Sequence, residues 1–110
     1  MGKICAAPTA GSSGVIPGVL FAIAEERNIS HNELAIALAV AGTIGMVIAS
    51  RASLSGAEGG CQAECGSAAA MAAGAAVSLL GGSPDQVGQA TALALKNLLG
   101  LVCDPVAGLV

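Results

Sequence analysis

An all-α fold is what this 110-residue chain predicts, on three observations. No stretch of useful length alternates apolar and polar residues with the period of two that marks a half-buried strand. The motifs Ser-x-x-Glu at residues 30–33 and Ser-x-x-Gln at residues 83–86 have the spacing of a capping box, which starts a helix. Glycine-rich stretches separate the apolar runs. We therefore expect a single helical domain over residues 1–110, with about four largely apolar helices joined by glycine-rich functional loops.

The first two helices are bounded by recognisable signals. The first should begin near Ile16 and Pro17, because proline is tolerated in the first turn, and should run to about Arg27, where Asn28 ends it. The first capping box places the second helix over roughly residues 31–50, with a nearly continuous apolar face.

The last two helices are separated by Gly81 and Gly82. The third should start near Cys61 and run through the alanines to Leu80, and the fourth should extend from Pro84 to near Leu99. Three loops remain, at residues 6–14, 51–60 and 101–110. We expect the helices to bring these loops together.

The composition indicates that this chain needs a partner chain to cover its apolar surface. It is 55% hydrophobic, with 16 glycines and a single aromatic residue, Phe21, so it lacks the rings that usually fill an isolated core. Small side chains must bury surface by close approach of helices. A partner chain or a homo-oligomer is expected.

Charge and cysteine usage exclude several classes of protein. The net charge of −3 comes without a basic cluster or an aromatic stacking platform, which argues against binding of nucleic acid. Four cysteines without a secretory signal do not read as a disulfide framework. The sequence favours a reducing cytoplasm and a metal or catalytic use of the thiols.

Two uncharged runs, residues 34–50 and 66–83, approach the length of a membrane-spanning helix. Belts of Trp and Tyr and flanking clusters of Lys and Arg are missing, which argues against insertion. We expect no membrane association and helices that are apolar on all sides because protein surrounds them. A small membrane hairpin is the less favoured alternative.

The cysteines fall into two groups by their setting. Cys61 and Cys103 lie in glycine-rich turns, where the backbone can approach a metal closely, and the start of the third helix would favour the thiolate of Cys61. Cys65, four residues after Cys61, could form a two-thiol clip with it, whereas Cys5 is expected to serve packing. The competing interpretation is that all four are small buried hydrophobic residues.

The first loop and two acidic residues complete the candidate site. Residues 8–14 offer hydroxyls and unencumbered N–H groups just before a helix, which suits a small carboxylate as well as simple helix capping. Glu58 and Glu64 flank Cys61 and could serve in acid–base chemistry or remain solvated surface carboxylates. His31 lies inside the capping box, where a role in helix initiation is favoured over catalysis.

Three long motifs, in this order, are more specific than the spacing of the cysteines. They are AAPTAGSSGVIPG at residues 6–18, SLSGAEGGCQAE at 53–64 and NLLGLVCDPVAG at 97–108. Together they resemble the iron–sulfur-dependent L-serine dehydratases, specifically the α chain of the two-chain form. The match covers nearly the whole chain.

This resemblance implies an all-helical catalytic domain of amino-acid degradation that feeds gluconeogenesis. Such an enzyme converts L-serine to pyruvate and ammonia with an oxygen-sensitive [4Fe–4S] cluster and without pyridoxal phosphate. One open iron of the cluster acts as a Lewis acid on the serine β-hydroxyl, while a base removes the α-proton.

Roles for individual residues follow from the same resemblance. Cys61 and Cys103 would be cluster ligands. The base is not assigned by the resemblance: Glu58, which flanks Cys61, is our candidate, with Lys96 and an upstream segment as open alternatives. The residues that would hold the substrate carboxylate belong to the first loop: Thr9, Ala10, Gly11, Ser12 and Ser13.

Two departures from the family pattern shape the expectation for this chain. The family's third cysteine ligand follows the last motif, beyond Val110, and its upstream His-containing loop would precede Met1. We expect a truncated core, weakly active or inactive alone, that associates with a β chain of the dehydratase or with itself. A non-catalytic helical oligomerisation module is the alternative function.

Overall fold

Four helices follow one another along the chain, and the third is the axis on which the other three pack. The computed structural model describes residues 2–101 and 106–108. The helices are α1 (Val15–Arg27), α2 (His31–Arg51), α3 (Gly56–Leu79) and α4 (Pro84–Asn97). No strand occurs within the described ranges, so the all-α prediction is confirmed.

Both predicted capping boxes are present at the helix starts. At α2, the Glu33 N–H donates to the Ser30 hydroxyl at 3.3 Å, and the Ser30 N–H donates to the Glu33 carboxylate at 3.0 Å. Ser83 and Gln86 make the same pair of bonds at α4. Hydrogen bonds from the Ser30 hydroxyl and backbone lower the pKa of Glu33 because they stabilise its charged form. His31 is the first residue of α2.

The third helix begins earlier than the sequence predicts. The Ser55 side chain accepts a hydrogen bond from the Ala57 N–H at 3.2 Å, and this cap starts a helical turn at Gly56. Gly60 then interrupts the helix with a φ of +77°, a conformation that glycine adopts without steric cost. Residues 56–59, predicted as loop, therefore form a short helical lead-in to the main body of α3.

The other helix boundaries differ little from the predicted ones. Asn28 ends α1 in the left-handed conformation, with its N–H bonded to the carbonyl of Ala24. α4 ends at Asn97, two residues before the predicted end, because the Leu98 N–H turns back to the carbonyl of Leu95 at 3.3 Å. The last turn is thus tightened rather than continued.

Small side chains build the core. Gly74 shows why: a Cβ at this position would collide with Ile44 of α2 and lie 2.6 Å from the Thr91 hydroxyl of α4. Three helices approach one another at a separation that leaves no room for a methyl group. The buried cluster consists of Ile16, Leu20, Ala37, Ala41, Met71, Ala72 and Ala75.

The two uncharged runs differ in how the chain covers them. The alanine-rich run of α3 is largely buried by the other helices, as expected. α2 is not: only 17% of its most apolar 18-residue window is buried, and Ile36 and Met46 are 64% and 67% exposed. By length and composition α2 would suffice to cross a membrane, a test that soluble core helices also pass.

Candidate functional site

The first loop and the start of α3 meet at the carboxylate of Glu64. Its Oε1 atom accepts hydrogen bonds from the Thr9 hydroxyl and, at 3.0 Å, from the Gly11 N–H. The Thr9 hydroxyl also lies 2.8 Å from the hydroxyl of Ser12. One side chain of α3 therefore holds a loop that lies more than 50 residues earlier in the sequence.

Two glycines make room for that carboxylate. A Cβ at Gly11 would lie 2.5 Å from the Oε2 atom of Glu64, and a Cβ at Gly56 would collide with the same oxygen. The carboxylate thus fills the space that two other side chains would need. The close approach of the Glu64 carboxylate explains why glycine occupies position 11 in the first motif and position 56 in the second.

The first loop keeps hydrogen-bond donors available. Its shape is held by bonds from the Ala7 N–H to the Ser13 carbonyl at 3.0 Å and from the Val15 N–H to the Ser12 carbonyl at 3.1 Å. The N–H groups of Ser12 and Ser13 donate to no described residue, and they lie just before the positive end of α1.

The predicted carboxylate-binding residues therefore do not share one environment. Thr9 and Gly11 are already bonded to Glu64, and the Ser12 side chain is only 2% exposed. Ser13 is half-buried and Ala10 is exposed. Donors that bond no described residue, and that a bound carboxylate could use, include the N–H groups of Ser12 and Ser13 and the Ser13 hydroxyl.

Cys61 lies directly after the Gly60 break and is exposed. It precedes Glu64 by three residues, a spacing that puts two helical side chains on neighbouring positions of one face. Cys65, one turn further, is half-buried. Cys103 lies outside the described residues.

Cys5 departs from its predicted role. It is exposed, so the expected packing function is wrong. It lines the mouth of an apolar cavity of about 340 Å³ between α1 and α2. With Cys5 and Cys61 both exposed, the interpretation that all four cysteines are buried hydrophobic residues is wrong as well.

The two candidates for a proton-transferring base both lie on the surface. The carboxylate of Glu58 accepts a hydrogen bond from the Ser53 hydroxyl at 2.6 Å, in the short helical turn before Gly60. Lys96 is exposed in the last turn of α4. The structure brings Glu64, rather than Glu58, into contact with the first loop.

Gln62 is a residue that sequence reasoning missed. Its side-chain nitrogen is buried and has no hydrogen-bond partner in the part of the chain that the structure describes. The residue lines a cavity of about 340 Å³ between α3 and the end of α4. A buried amide without an acceptor costs about 1–3 kcal/mol, so the site calls for an acceptor group. In the sequence, the position of Gln62 next to Cys61 was the signal that could have pointed to it.

Cys61 could bind a metal. Its exposed thiol follows a positive-φ glycine, where the backbone allows close approach. Within residues 2–101 and 106–108, no group of three His, Cys, Asp or Glu side chains is placed to hold a metal ion.

Known proteins that resemble this chain agree on one family. The family model described as Serine dehydratase alpha chain matches residues 1–110. The probable L-serine dehydratase alpha chain of Bacillus subtilis is 59% identical over the whole of this chain and 37% of its own length. The L-serine dehydratase alpha chain of Peptoniphilus asaccharolyticus is 54% identical, again over the whole chain and 38% of its own length.

A third relative extends the pattern. The L-serine dehydratase TdcG of Escherichia coli is 46% identical over 97% of this chain and 24% of its own length. The chain thus spans little more than a third of the first two relatives and a quarter of the third. No solved structure matches it significantly. The match over all 110 residues shows that the chain belongs to the serine dehydratase alpha-chain family.

Proposed function

We propose that this chain forms the catalytic core of an L-serine ammonia-lyase, which converts L-serine to pyruvate and ammonia. The observation that carries the proposal is the juxtaposition, through Glu64, of a loop with spare N–H donors and the exposed thiol of Cys61. Relatives that are named L-serine dehydratase support it. Because the chain spans little more than a third of those two relatives, we assign the activity to the assembled enzyme.

Binding of the substrate carboxylate is the role proposed for residues 9–13. The N–H groups of Ser12 and Ser13 donate to none of the residues that the structure describes, and the nearby start of α1 adds a favourable partial positive charge. Thr9 and Gly11 act less directly, because the Thr9 hydroxyl and the Gly11 N–H already donate to Glu64. Ala10 contributes its backbone.

A [4Fe–4S] cluster, and no pyridoxal phosphate, is the cofactor that we propose. Cys61 and Cys103 would hold it, together with a third cysteine outside these 110 residues. When bound, the cluster would supply a Lewis-acidic iron that makes the serine β-hydroxyl a better leaving group.

Glu58 is the proposed base for the α-proton. Its hydrogen bond from Ser53 keeps the carboxylate in one orientation at the Gly60 break. Glu58 takes the proton from Cα and passes it to the departing β-hydroxyl, so that water leaves and 2-aminoacrylate remains. This enamine tautomerises to an imine, and hydrolysis of the imine gives pyruvate and ammonia, which consumes the water that was released.

The exposed apolar faces support a proposal about partners. Ile36 and Met46 on α2 and Leu93 on α4 are each more than 60% exposed. A β chain, as the naming of the relatives implies, or a second copy would cover these faces. An oxygen-sensitive cluster and reduced thiols are consistent with a cytoplasmic enzyme that does not bind a membrane or nucleic acid.

Anaerobic turnover of L-serine tests the proposal. We expect the assembled enzyme to form pyruvate and ammonia in equal amounts, and the variant Cys61→Ser to form neither. Consumption of no L-serine by an iron-replete wild type would overturn the assignment. Unchanged assembly in Cys61→Ser, with no activity in either protein, would favour the non-catalytic oligomerisation module that the exposed apolar faces also suggest.

A further inference from the structure

We infer that Glu64 is a positioning residue: its carboxylate fixes the loop at residues 9–13 relative to Cys61, and thereby sets where the substrate carboxylate binds. This inference rests on the proposed function. Glu64 touches neither reacting atoms nor substrate in this role, and it acts through the loop that it holds.

Glu64 holds the loop through one of its two carboxylate oxygens. A single oxygen, Glu64 Oε1, accepts from the Thr9 hydroxyl and the Gly11 N–H, so the loop is held at two adjacent residues. The second oxygen lies in the space above the backbone of Gly11 and Gly56. The two hydrogen bonds and the narrow space between the two glycines therefore restrict the Glu64 carboxylate to one position.

The charge on Glu64 favours these hydrogen bonds. Both donors to Glu64 are neutral, and no cationic side chain in residues 2–101 and 106–108 pairs with it. An ionised acceptor makes a hydrogen bond roughly twice as strong as a neutral one, so the carboxylate suits a clamp. The other oxygen, Oε2, accepts no hydrogen bond from the described residues.

The clamp is linked to the proposed cluster ligand through α3. Cys61 and Glu64 are three residues apart on α3, after the Gly60 break, so the helix backbone fixes their separation. A loop bonded to Glu64 is thereby held at a set distance from the Cys61 thiol. Releasing the clamp should weaken substrate binding without removing either the loop or the thiol.

Two variants release the clamp by different means. Glu64→Ala removes the acceptor, whereas Gly56→Ala keeps it and fills its slot with a methyl group. For both we expect the KM for L-serine to rise about tenfold and kcat to change by less than about threefold, because two net hydrogen bonds are lost from the binding loop. Glu64→Gln keeps an acceptor oxygen and should restore KM to within about threefold of wild type.

Gly18→Ala is the matched control for Gly56→Ala. A Cβ at Gly18, in the exposed part of α1, would meet no atom within 4 Å, so KM and kcat should equal those of wild type. All five proteins are assayed anaerobically as the assembled enzyme, with iron content and thermal midpoint measured beside the kinetics. Equal iron content across the set separates positioning from loss of the cluster or of the fold.

Each outcome bears on the inference. A raised KM in Glu64→Ala and Gly56→Ala, with rescue by Glu64→Gln, supports it. Wild-type KM in both clamp variants overturns it and leaves the proposed function intact. A fall in kcat of about tenfold or more in both Glu64→Ala and Glu64→Gln also overturns it, because the charge would then act in the chemistry. A wild type that forms no pyruvate overturns the proposed function and this inference together.

Discussion

At the scale of single residues, the two glutamates that flank Cys61 have different surroundings. Glu64 is half-buried, and its Oε1 atom accepts hydrogen bonds from the first loop, which fixes its position. Glu58 is exposed and bonded only to Ser53, on the short helical turn before Gly60. Because the Glu64 carboxylate already accepts two hydrogen bonds from the first loop, we propose proton transfer for Glu58 and positioning for Glu64.

The variant Glu58→Gln tests this division of roles. Because the amide cannot accept the α-proton, kcat for L-serine should fall by about 100-fold or more, the range in which a general base contributes, with KM nearly unchanged. The measurement is anaerobic steady-state release of pyruvate by the assembled enzyme. Lys96→Met is the companion variant, since Lys96 is the other candidate base in the chain. An active Glu58→Gln beside an inactive Lys96→Met would contradict the assignment.

Sequence alone could identify some of these residues and not others. The hydroxyls and the single glycine of residues 9–13 and the setting of Cys61 are local patterns, so they could be recognised from the sequence. Glu64 is joined to Thr9 across 55 residues, and nothing in the local sequence encodes which of two glutamates makes that contact. The unpaired nitrogen of Gln62 is likewise a product of helix packing.

At the scale of elements, the helix starts were predictable because the groups that fix them are close in sequence. Ser30 and Ser83 each form a hydrogen bond with the residue three positions later, so the capping boxes can be recognised in the sequence. The start of α3 was misplaced because two local signals compete there. The Ser55 cap starts a turn that Gly60 interrupts four residues later, and only the structure shows that both occur.

Helix contact through Gly74 gives a prediction about stability. Gly74→Ala would place a methyl group against Ile44 and Thr91, and such overpacking should lower the free energy of unfolding by about 1–3 kcal/mol. The matched variant is Gly88→Ala on α4, where a Cβ would meet no atom within 4 Å. It should raise stability by about 0.5–1 kcal/mol, because alanine favours a helix over glycine.

Thermal unfolding of the assembled enzyme compares the two substitutions directly. A lower midpoint for Gly74→Ala and an equal or higher one for Gly88→Ala would confirm that α2, α3 and α4 meet at Gly74. A Gly74→Ala variant as stable as Gly88→Ala would mean that the helices do not approach so closely.

At the scale of the whole molecule, the apolar surface that the chain leaves uncovered is its main unexplained feature. Composition predicted a partner, because a core of alanines and one aromatic residue buries little area. It could not predict which face the partner covers, since α2 and α3 are both uncharged over long runs. The packing decides this: α3 takes the centre, and α2 and α4 expose large apolar side chains.

The central claim is that Cys61 holds an iron–sulfur group beside the loop at residues 9–13. Anaerobic reconstitution of the assembled enzyme with iron and sulfide, read by iron content and visible absorption, tests it most directly. Cys65→Ser is the matched control, one helical turn from Cys61 and half-buried. We predict that wild type and Cys65→Ser take up the cluster and that Cys61→Ser does not. Full iron content and full serine turnover in Cys61→Ser would contradict the account.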